Sequence, residues 1–285
     1  MYPSGYMSDI TLSVVIPSYK DPSLVKTIDS LLTNSELAEK LEIIVVLDGY
    51  WPDSELINDP RVKYLHLGGN RGMKGAINAG VEISNGKYLM RTDEHCAFGK
   101  GYDQILTKDL EPNWIVTARR YFLDIDKWEV MDIPYIDYEQ LVTQSIGDAK
   151  KYTGFPWAER TKERQDIMID ETMAMQGSMW VMTRSWWDSV IGTLISGPYG
   201  THYQDQHEMI FKTWQAGGKM MVNKNTWFAH RHNSFPRYHE ISHGSQQKEL
   251  QAFYDHWKEY YSEIKKKWKI KDNNSNQILD KSNVL

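Results

Sequence analysis

The sequence predicts an α/β fold in which several parallel strands end at one polar edge. Four short apolar stretches are typical of buried strands, namely residues 12–19, 41–49, 61–67 and 87–93. Helical patterns alternate with them, and strands that alternate with helices form doubly wound sheets, whose ligands bind beyond the carboxyl ends of the strands. The residues at three of these ends are Ser18, Tyr19, Asp48, Gly49, Asp93, Glu94 and His95. The pattern therefore predicts a binding pocket at this edge.

Two helices are expected between these strands. Asp21-Pro22 supplies an N-cap and a first-turn proline, and apolar side chains then recur at helical spacing from Leu24 to Leu32. The glycine-containing stretch 68–80 opens a second helix, which ends at Asn85-Gly86. This stretch resembles a phosphate cradle at a helix N-terminus, but it lacks the spacing of the GxxxxGK[ST] and GxGxxG motifs. A GxSxG motif is also absent, so P-loop, dinucleotide and serine-hydrolase chemistry are disfavoured.

The second half of the chain is predicted to be more mixed. Residues 114–122, 173–183 and 219–229 are expected to be strands, and residues 205–216 a helix. The polar insertion at about 123–170 predicts a long functional or mobile loop. An aromatic stripe from Phe253 to Trp268 predicts a C-terminal helix. The expected division is a main domain at 10–240, with halves at 10–100 and 101–240, a C-terminal helix at 241–270 and a disordered tail at 271–285.

Composition restricts the classes of protein that the chain can represent. Its 285 residues carry a formal charge of −5, which offers no overall attraction to nucleic-acid phosphates. Cys96 is the only cysteine, so no intramolecular disulfide forms, as expected in a reducing compartment. The N-terminal residues lack a signal-peptide pattern, and no apolar run is long enough to span a bilayer. A cytoplasmic protein without a membrane anchor is expected.

The tripeptide Asp93-Glu94-His95 is either a solvated turn or the start of a metal site. In an extended chain Asp93 and His95 point to the same side, with Glu94 turned away. An imidazole among the ligands favours Mn²⁺ or another transition metal over Mg²⁺. Either His230 or His232 is a candidate to complete such a site, since the two share a face if this segment is extended.

Several segments together resemble the nucleotide-sugar glycosyltransferases with the GT-A fold, a Rossmann-like nucleotide-binding half on a mixed sheet flanked by helices. The segments are SVVIPSYKD, VVLDG and NRGMKGAINAGVEISNGKYLMRTDEH, and the resemblance to this family 2-like group covers residues 10–235. Its members carry a D-x-D motif where this chain has a D-x-H motif. Four segments are similar to the polypeptide N-acetylgalactosaminyltransferases: the D-x-H motif, MQGSMWVMTRSWW, DQHEMIFKTWQAGGKM and FAHRH.

The resemblance implies a set of residues that bind a nucleotide-sugar donor, and it favours a UDP-sugar as that donor. Those expected around the donor are Pro17, Ser18, Tyr19, Asp48, Arg71, Lys74, Asp93 and Gly177, with Arg237 and Tyr238 on a loop that closes over the diphosphate. Mn²⁺, or Mg²⁺, would be bound by Asp93, His95 and His230, which the resemblance favours over His232.

One departure from the family pattern concerns the reaction itself. Inverting members begin the penultimate helix with Glu-Asp, whereas this chain has Asp205-Gln206. A glutamine amide cannot accept a proton as a general base. The resemblance therefore favours retention of configuration, with Asp205 positioning hydroxyls, or serving as the base if the register shifts by one residue. With Arg237, these two residues form the candidate catalytic set.

The sequence thus predicts a metal-dependent glycosyltransferase that moves a hexosyl or related sugar from a nucleoside diphosphate to an acceptor hydroxyl. The acceptor stays open among a glycan, a protein and a hydroxylated base in DNA, the last because basic and aromatic residues are interleaved around the insertion. Gln206 keeps an inactive nucleotide-sugar-binding module as an alternative, and a metal-dependent nucleotidyltransferase is a third interpretation. The oligomeric state is not predicted.

Overall fold

A computed structural model describes residues 9–195, 204–232 and 243–270, without the side chains of residues 243–245. The strands are β1 (Leu12–Ser18), β2 (Leu41–Asp48), β3 (Val62–Leu67), β4 (Tyr88–Thr92), β5 (Cys96–Phe98), β6 (Trp114–Asp124), β7 (Glu129–Val130), β8 (Glu139–Ile146), β9 (Ala149–Pro156), β10 (Ile169–Glu171), β11 (Met179–Thr183) and β12 (Lys219–His230). The helices are α1 (Leu24–Asn34), α2 (Gly72–Ile83), α3 (Tyr102–Lys108), α4 (Ala158–Glu163), α5 (Arg184–Trp186), α6 (Asp205–Gln215) and α7 (His243–Trp268).

One mixed sheet organises these elements in the order β10-β12-β6-β11-β4-β1-β2-β3. The quartet β3, β2, β1 and β4 is parallel throughout, as the sequence predicts. The second half is mixed, because β11 runs antiparallel to both β4 and β6, while β12 runs parallel to β6. The carboxyl ends of the parallel quartet therefore lie at one edge of the sheet, where the predicted pocket was expected.

The central strands are apolar on both faces because helices cover both faces. Every residue of β1 and β2 is buried. Val14 packs in one core cluster with Ile28 of α1, whereas its neighbour Val15 packs in the other with Ile77 of α2. This alternation follows from the two-residue period of a strand.

The predicted loop at 123–170 is wrong, because most of this insertion has regular structure. Strands β8 and β9 form an antiparallel hairpin, and α4 and β10 follow it. The hairpin buries Leu141 and Tyr152 against side chains that lie far away in sequence. The Tyr152 ring contacts Phe211 of α6 at 4.9 Å and Tyr261 of α7 at 5.1 Å between ring centroids. Because α6 and α7 supply the apolar partners, the polar local pattern of the insertion conceals the hairpin.

The predicted C-terminal helix is present, and it begins earlier than its aromatic stripe indicates, at His243. Its residues Phe253, Trp257 and Tyr261 are buried in the same core cluster as Val15 of the central sheet. The helix therefore packs onto the body of the fold. The predicted tail at 271–285 lies outside the described residues.

Other boundaries differ in detail. The strand expected at 173–183 is regular only over Met179–Thr183, and the short elements β5 and α3 have no clear periodic signal in the sequence. Among the helices of the described ranges, none combines the length and the apolar character that crossing a bilayer requires.

A glycine in α2 sets how closely this helix approaches the sheet. A Cβ added at Gly80 would lie 2.4 Å from Val15 Cγ1 and 3.0 Å from Val46 Cγ2. We expect Gly80→Val to lower the free energy of unfolding by about 1–3 kcal/mol, because the added side chain forces the helix away from β1 and β2. A Cβ at Gly69 meets no atom within 4 Å. Gly69→Val is therefore the control, and equal urea midpoints for the two variants would contradict the close packing.

Candidate metal and nucleotide site

The polar ends of three parallel strands meet at the carboxyl edge of the sheet. Ser18 is the last residue of β1, and Asp48 is the last residue of β2. Asp93 directly follows β4, and its backbone N–H donates to the carbonyl of Ser178 at 2.9 Å. The parallel register brings these residues together, in agreement with the predicted position of the pocket.

Asp93, His95 and His230 form a compact group of candidate metal ligands. The two imidazole Nε2 atoms lie 3.0 Å apart, and Oδ2 of Asp93 lies 3.1 Å from Nε2 of His230 and 3.8 Å from Nε2 of His95. Ligand atoms on one face of an octahedron with bonds of about 2.1 Å are about 3 Å apart. One carboxylate and two imidazoles at these separations fit a divalent transition metal.

Backbone pairing creates this group from distant parts of the chain. In the antiparallel pair of β12 and β5, His230 lies opposite Cys96, the residue after His95. The Cys96 thiol is buried, and desolvation raises its pKa. The neighbouring His232 packs against Phe122 and against the edge of His230, with ring centroids 4.4 Å and 4.9 Å apart, and it is not a member of the ligand group. The geometry thus favours His230 over His232 as the third ligand.

Two further side chains orient the ligands. Nδ1 of His95 lies 2.9 Å from Oδ2 of Asp21, an arrangement that directs the Nε2 lone pair toward the other two ligands. A nitrogen of the Arg91 guanidinium donates to Oδ1 of Asp93 at 2.6 Å, which leaves Oδ2 on the side of the histidines. Carboxylates and guanidinium groups beside metal ligands tune both their orientation and their charge.

The protonation of these ligands suits metal binding at neutral pH. Burial alone would raise the pKa of Asp93, but the charge of Arg91 and the hydrogen bond with His230 hold that pKa well below its usual range. Desolvation lowers the pKa of His230 to about 4, so this imidazole is neutral at pH 7. An ionised carboxylate and a neutral imidazole are the forms that bind metals.

Glu94 faces away from the ligand group, as the sequence predicts, and it has a partner that the sequence did not reveal. Its carboxylate accepts hydrogen bonds from the Ser18 hydroxyl and from the backbone N–H of Tyr19, the latter at 3.0 Å. The Tyr50 hydroxyl also bonds to the Ser18 hydroxyl, and desolvation raises the pKa of Tyr50 to about 12. The Tyr19 and Tyr50 rings meet edge to face at 5.9 Å. These contacts hold the loop after β1, whereas Pro17 is buried within β1 itself.

Asp48 organises the start of α2. Its carboxylate accepts from the backbone N–H groups of Arg71 at 2.6 Å and Gly72 at 2.9 Å. Desolvation raises its pKa, although these two donors oppose the effect. At Gly49, with φ of +77°, a Cβ would lie 2.4 Å from the backbone nitrogen of Asn70. Only glycine therefore permits this close approach of the two loops.

Lys74 lies in a different environment from the predicted one near the diphosphate. Its side chain is fully buried, and Nζ contacts the Glu208 carboxylate and the Ile195 carbonyl oxygen, each at 3.1 Å. The Phe253 ring of α7 lies beneath the same ammonium group at 5.6 Å. The helical turn from Arg71 carries Lys74 into the interface between α2, α6 and α7.

Asp205 and Gln206 open α6 beside the predicted sugar-binding strand. Oδ2 of the buried Asp205 has no hydrogen-bond partner among the described residues. Desolvation raises the pKa of Asp205, with the positive charges of Arg91 and Lys74 opposing. A Cβ at Gly177 would lie 3.0 Å from Oε1 of Gln206, so the two residues are adjacent. Arg237 and Tyr238 lie outside the described residues.

The sequence reasoning missed four residues of this site: Asp21, Tyr50, Arg91 and Glu94. The sequence predicts Asp21 only as a helix cap, which is wrong, because α1 begins at Leu24 with Ser23 at the cap position; the Asp21 carboxylate accepts from the backbone N–H of Ser23 at 2.8 Å. The alternation of a strand places Arg91 on the same side as Asp93, which is a signal that sequence analysis can use. Tyr50 and Glu94 have no comparable pattern, because their partners lie on another strand end.

Comparison with known proteins gives this site a context. Residues 13–191 match the profile of Glycosyl transferase family 2. Human polypeptide N-acetylgalactosaminyltransferase 14 is 22% identical over 76% of this chain and 40% of its own length. An uncharacterised Escherichia coli glycosyltransferase, YibD, is 35% identical over 35% of this chain and 30% of its own length. The chain thus spans well under half the length of these relatives.

Solved structures support the same fold. The crystal structure of GalNAc-T7 with UDP, GalNAc and Mn²⁺ aligns with a TM-score of 0.66 and 17% identity, over 94% of this chain and 52% of that one. The Staphylococcus aureus TarS structure aligns with a TM-score of 0.53 and 10% identity, over 78% of this chain and 60% of that one. At these identities the likeness concerns the fold, a GT-A architecture with a mixed sheet.

The contact between Asp21 and His95 has a measurable consequence. Asp21→Ala removes the carboxylate that orients the His95 ring, and we expect Mn²⁺ affinity to fall by about 10–100-fold. Isothermal titration calorimetry measures this affinity directly. Asp59→Ala is the control, since Asp59 pairs with Arg61 near the surface. Unchanged affinity in Asp21→Ala would contradict the orienting role.

Proposed function

The chain belongs to glycosyl transferase family 2 and is a nucleotide-sugar glycosyltransferase with the GT-A fold, and on this premise we propose that it transfers a sugar from a UDP-sugar with the help of Mn²⁺. The observation that carries the proposal is the group of Asp93, His95 and His230, whose donor atoms converge within 4.8 Å. The GalNAc-T7 structure, with UDP and Mn²⁺, gives further support.

The proposed metal site uses three ligands of this chain. A bound divalent ion supplies electrostatic stabilisation of the charge that develops on a departing diphosphate. Asp93 supplies the anionic oxygen, and His95 and His230 supply imidazole nitrogens. Asp21 and Arg91 hold two of these ligands in orientation through contacts of 2.9 Å and 2.6 Å.

The proposed nucleotide pocket lies at the ends of β1 and β2. Tyr19 packs against the base, and its position is maintained by Glu94, which accepts from its backbone N–H at 3.0 Å. Ser18 and Asp48 line the same pocket, with Pro17 supporting it from within β1. Arg71 begins α2 and contributes positive charge toward the diphosphate. Lys74 acts indirectly, by fixing α6 through Glu208.

The proposed sugar pocket lies between Gly177, Asp205 and Gln206. Oδ2 of Asp205 has no partner within the described ranges, which supports a role in accepting a hydrogen bond from a hydroxyl of the donor sugar. Gln206 cannot serve as a general base, which favours retention of configuration. Arg237 and Tyr238 remain candidates for a loop that covers the diphosphate.

The acceptor is proposed to be a glycan or a protein hydroxyl in preference to a modified DNA base. Arginines of the predicted basic region form ion pairs within the chain: Arg119 with Asp137, Arg120 with Glu139, and Arg160 and Arg164 with the one carboxylate of Asp170. These pairs reduce the positive charge that a DNA backbone requires. The inactive binding module stays as the second candidate, because Gln206 replaces the family's usual base.

Donor class is tested by thermal stability with UDP, in the presence and absence of Mn²⁺. A ligand that binds the native state raises the melting temperature by mass action. We expect UDP with Mn²⁺ to raise it by several degrees, and GDP or CDP to raise it less. Equal shifts for all three nucleotides would contradict UDP selectivity. Binding of intact UDP-sugars without turnover would favour the inactive module.

The third ligand is tested by a matched pair of histidine variants. We expect His230→Ala to abolish the Mn²⁺-dependent part of the UDP shift, because the site loses one of three ligands. His232→Ala should retain this shift, since its ring packs against Phe122 outside the ligand group. The same result in both variants would refute the assignment of His230. Circular dichroism verifies that each variant is folded.

Stereochemistry is tested by the slow hydrolysis of the best-binding UDP-sugar. Proton NMR during the first minutes identifies the released anomer before it equilibrates. From an α-linked donor we expect the α-anomer, as retention requires, and initial release of the β-anomer would establish inversion. We expect Asp205→Asn to lower hydrolysis at least tenfold in either case, because the amide removes the anionic hydroxyl acceptor.

A further inference from the structure

Arg91 is a buried cation beside the candidate metal ligands. It precedes Asp93 by two residues on the same side of the chain, and it is only 2% exposed. One guanidinium nitrogen lies 2.6 Å from Oδ1 of Asp93 and 3.0 Å from the sulfur of Met73. Its other two nitrogens, Nε and Nη1, have no hydrogen-bond partner among the described residues.

This arrangement is not explained by stability. Buried donors without partners are unfavourable, so a buried arginine with two of them points to a functional constraint. Arg119 pairs differently, with two nitrogens on both oxygens of Asp137, each at 2.8 Å, whereas Arg120 also uses one nitrogen, on Oε1 of Glu139 at 2.7 Å. Arg91 uses one nitrogen on one oxygen of Asp93. It thereby leaves Oδ2 of Asp93 3.1 Å from Nε2 of His230.

We propose that Arg91 is a positioning residue for Asp93. Arg91 restricts this carboxylate to metal ligation through Oδ2, and its positive charge keeps the ion weakly bound until a diphosphate is present. This inference rests on the proposed metal site. Arg91 cancels the formal charge of Asp93, so the carboxylate that faces an ion arriving alone is balanced, and the remaining negative charge in contact with the ligands is that of Asp21 behind His95. A nucleoside diphosphate adds negative oxygens and makes the combined binding favourable.

Two variants at position 91 distinguish the effect of the positive charge of Arg91 from the effect of its hydrogen bond to Asp93. Arg91→Gln keeps a donor for Oδ1 but removes the positive charge, and without nucleotide we expect it to bind Mn²⁺ about tenfold more tightly than the wild type, or tighter still. Arg91→Lys keeps the charge and should bind Mn²⁺ with nearly wild-type affinity. Arg119→Gln is the matched control, since it removes the guanidinium partner of the buried Asp137 away from the ligand group. Isothermal titration calorimetry with Mn²⁺ alone gives these affinities.

Thermal melting provides an independent readout that does not require activity. Arg91→Gln should melt at a lower temperature without Mn²⁺ and should recover most of the loss with Mn²⁺, because the ion replaces the missing positive charge. Arg119→Gln should show a loss that Mn²⁺ does not restore. If Arg91→Gln does not fold in metal-free buffer, refolding that depends on Mn²⁺ supports the inference, and failure to fold even with Mn²⁺ contradicts it.

The outcomes distinguish this inference from the proposed function. A wild-type protein that responds to Mn²⁺ with UDP, together with an Arg91→Gln variant that binds Mn²⁺ no more tightly than the wild type, overturns the role of Arg91 alone. A wild-type protein without any Mn²⁺ response, even with UDP, overturns the metal site and this inference with it. Recovery of Mn²⁺ affinity to the wild-type value in Arg91→Lys supports the role of charge.

Discussion

The pairing of β12 with β5 is the interaction on which the site depends. It places His230 opposite Cys96 and therefore beside His95, although the two histidines are 135 residues apart in sequence. Pairing over such a separation costs loop entropy, and other contacts of β12 must offset that cost. Strand β6 provides them, because it pairs with β12 in parallel over most of its length. The mixed half of the sheet thus positions the candidate metal ligands as well as supporting the fold.

The carboxyl edge of the sheet concentrates buried polar and charged groups, and several of them are paired. Asp93 is paired with Arg91, His95 with Asp21, and Lys74 with Glu208. Buried ions are costly unless they are paired and hydrogen-bonded. The stability of the molecule comes instead from the two apolar clusters on either face of the sheet and from the aromatic contacts of α7. A rigid apolar body can therefore support a polar edge that would be unstable by itself.

The insertion illustrates where local patterns are insufficient. Tyr152 is buried because α6 and α7 cover it, whereas most of its neighbours on β8 and β9 are only partly buried. The sequence around Tyr152 has little to distinguish this hairpin from a loop. Lys74 is a similar case, since the family resemblance implies a position near the diphosphate or ribose. Its pairing with Glu208 depends on how α2 and α6 pack together.

By itself the sequence determined the parallel quartet, the position of its polar carboxyl ends, the D-x-H motif and the family resemblance, since each depends on local periodicity or on contiguous residues. The tertiary structure decided which histidine joins Asp93 and His95, which side chains orient them, and where Lys74 lies. The physical reason is that the contacts of His230, Asp21 and Lys74 are made across strands and helices far apart in sequence. Their geometry depends on strand register and helix packing, which no local pattern specifies.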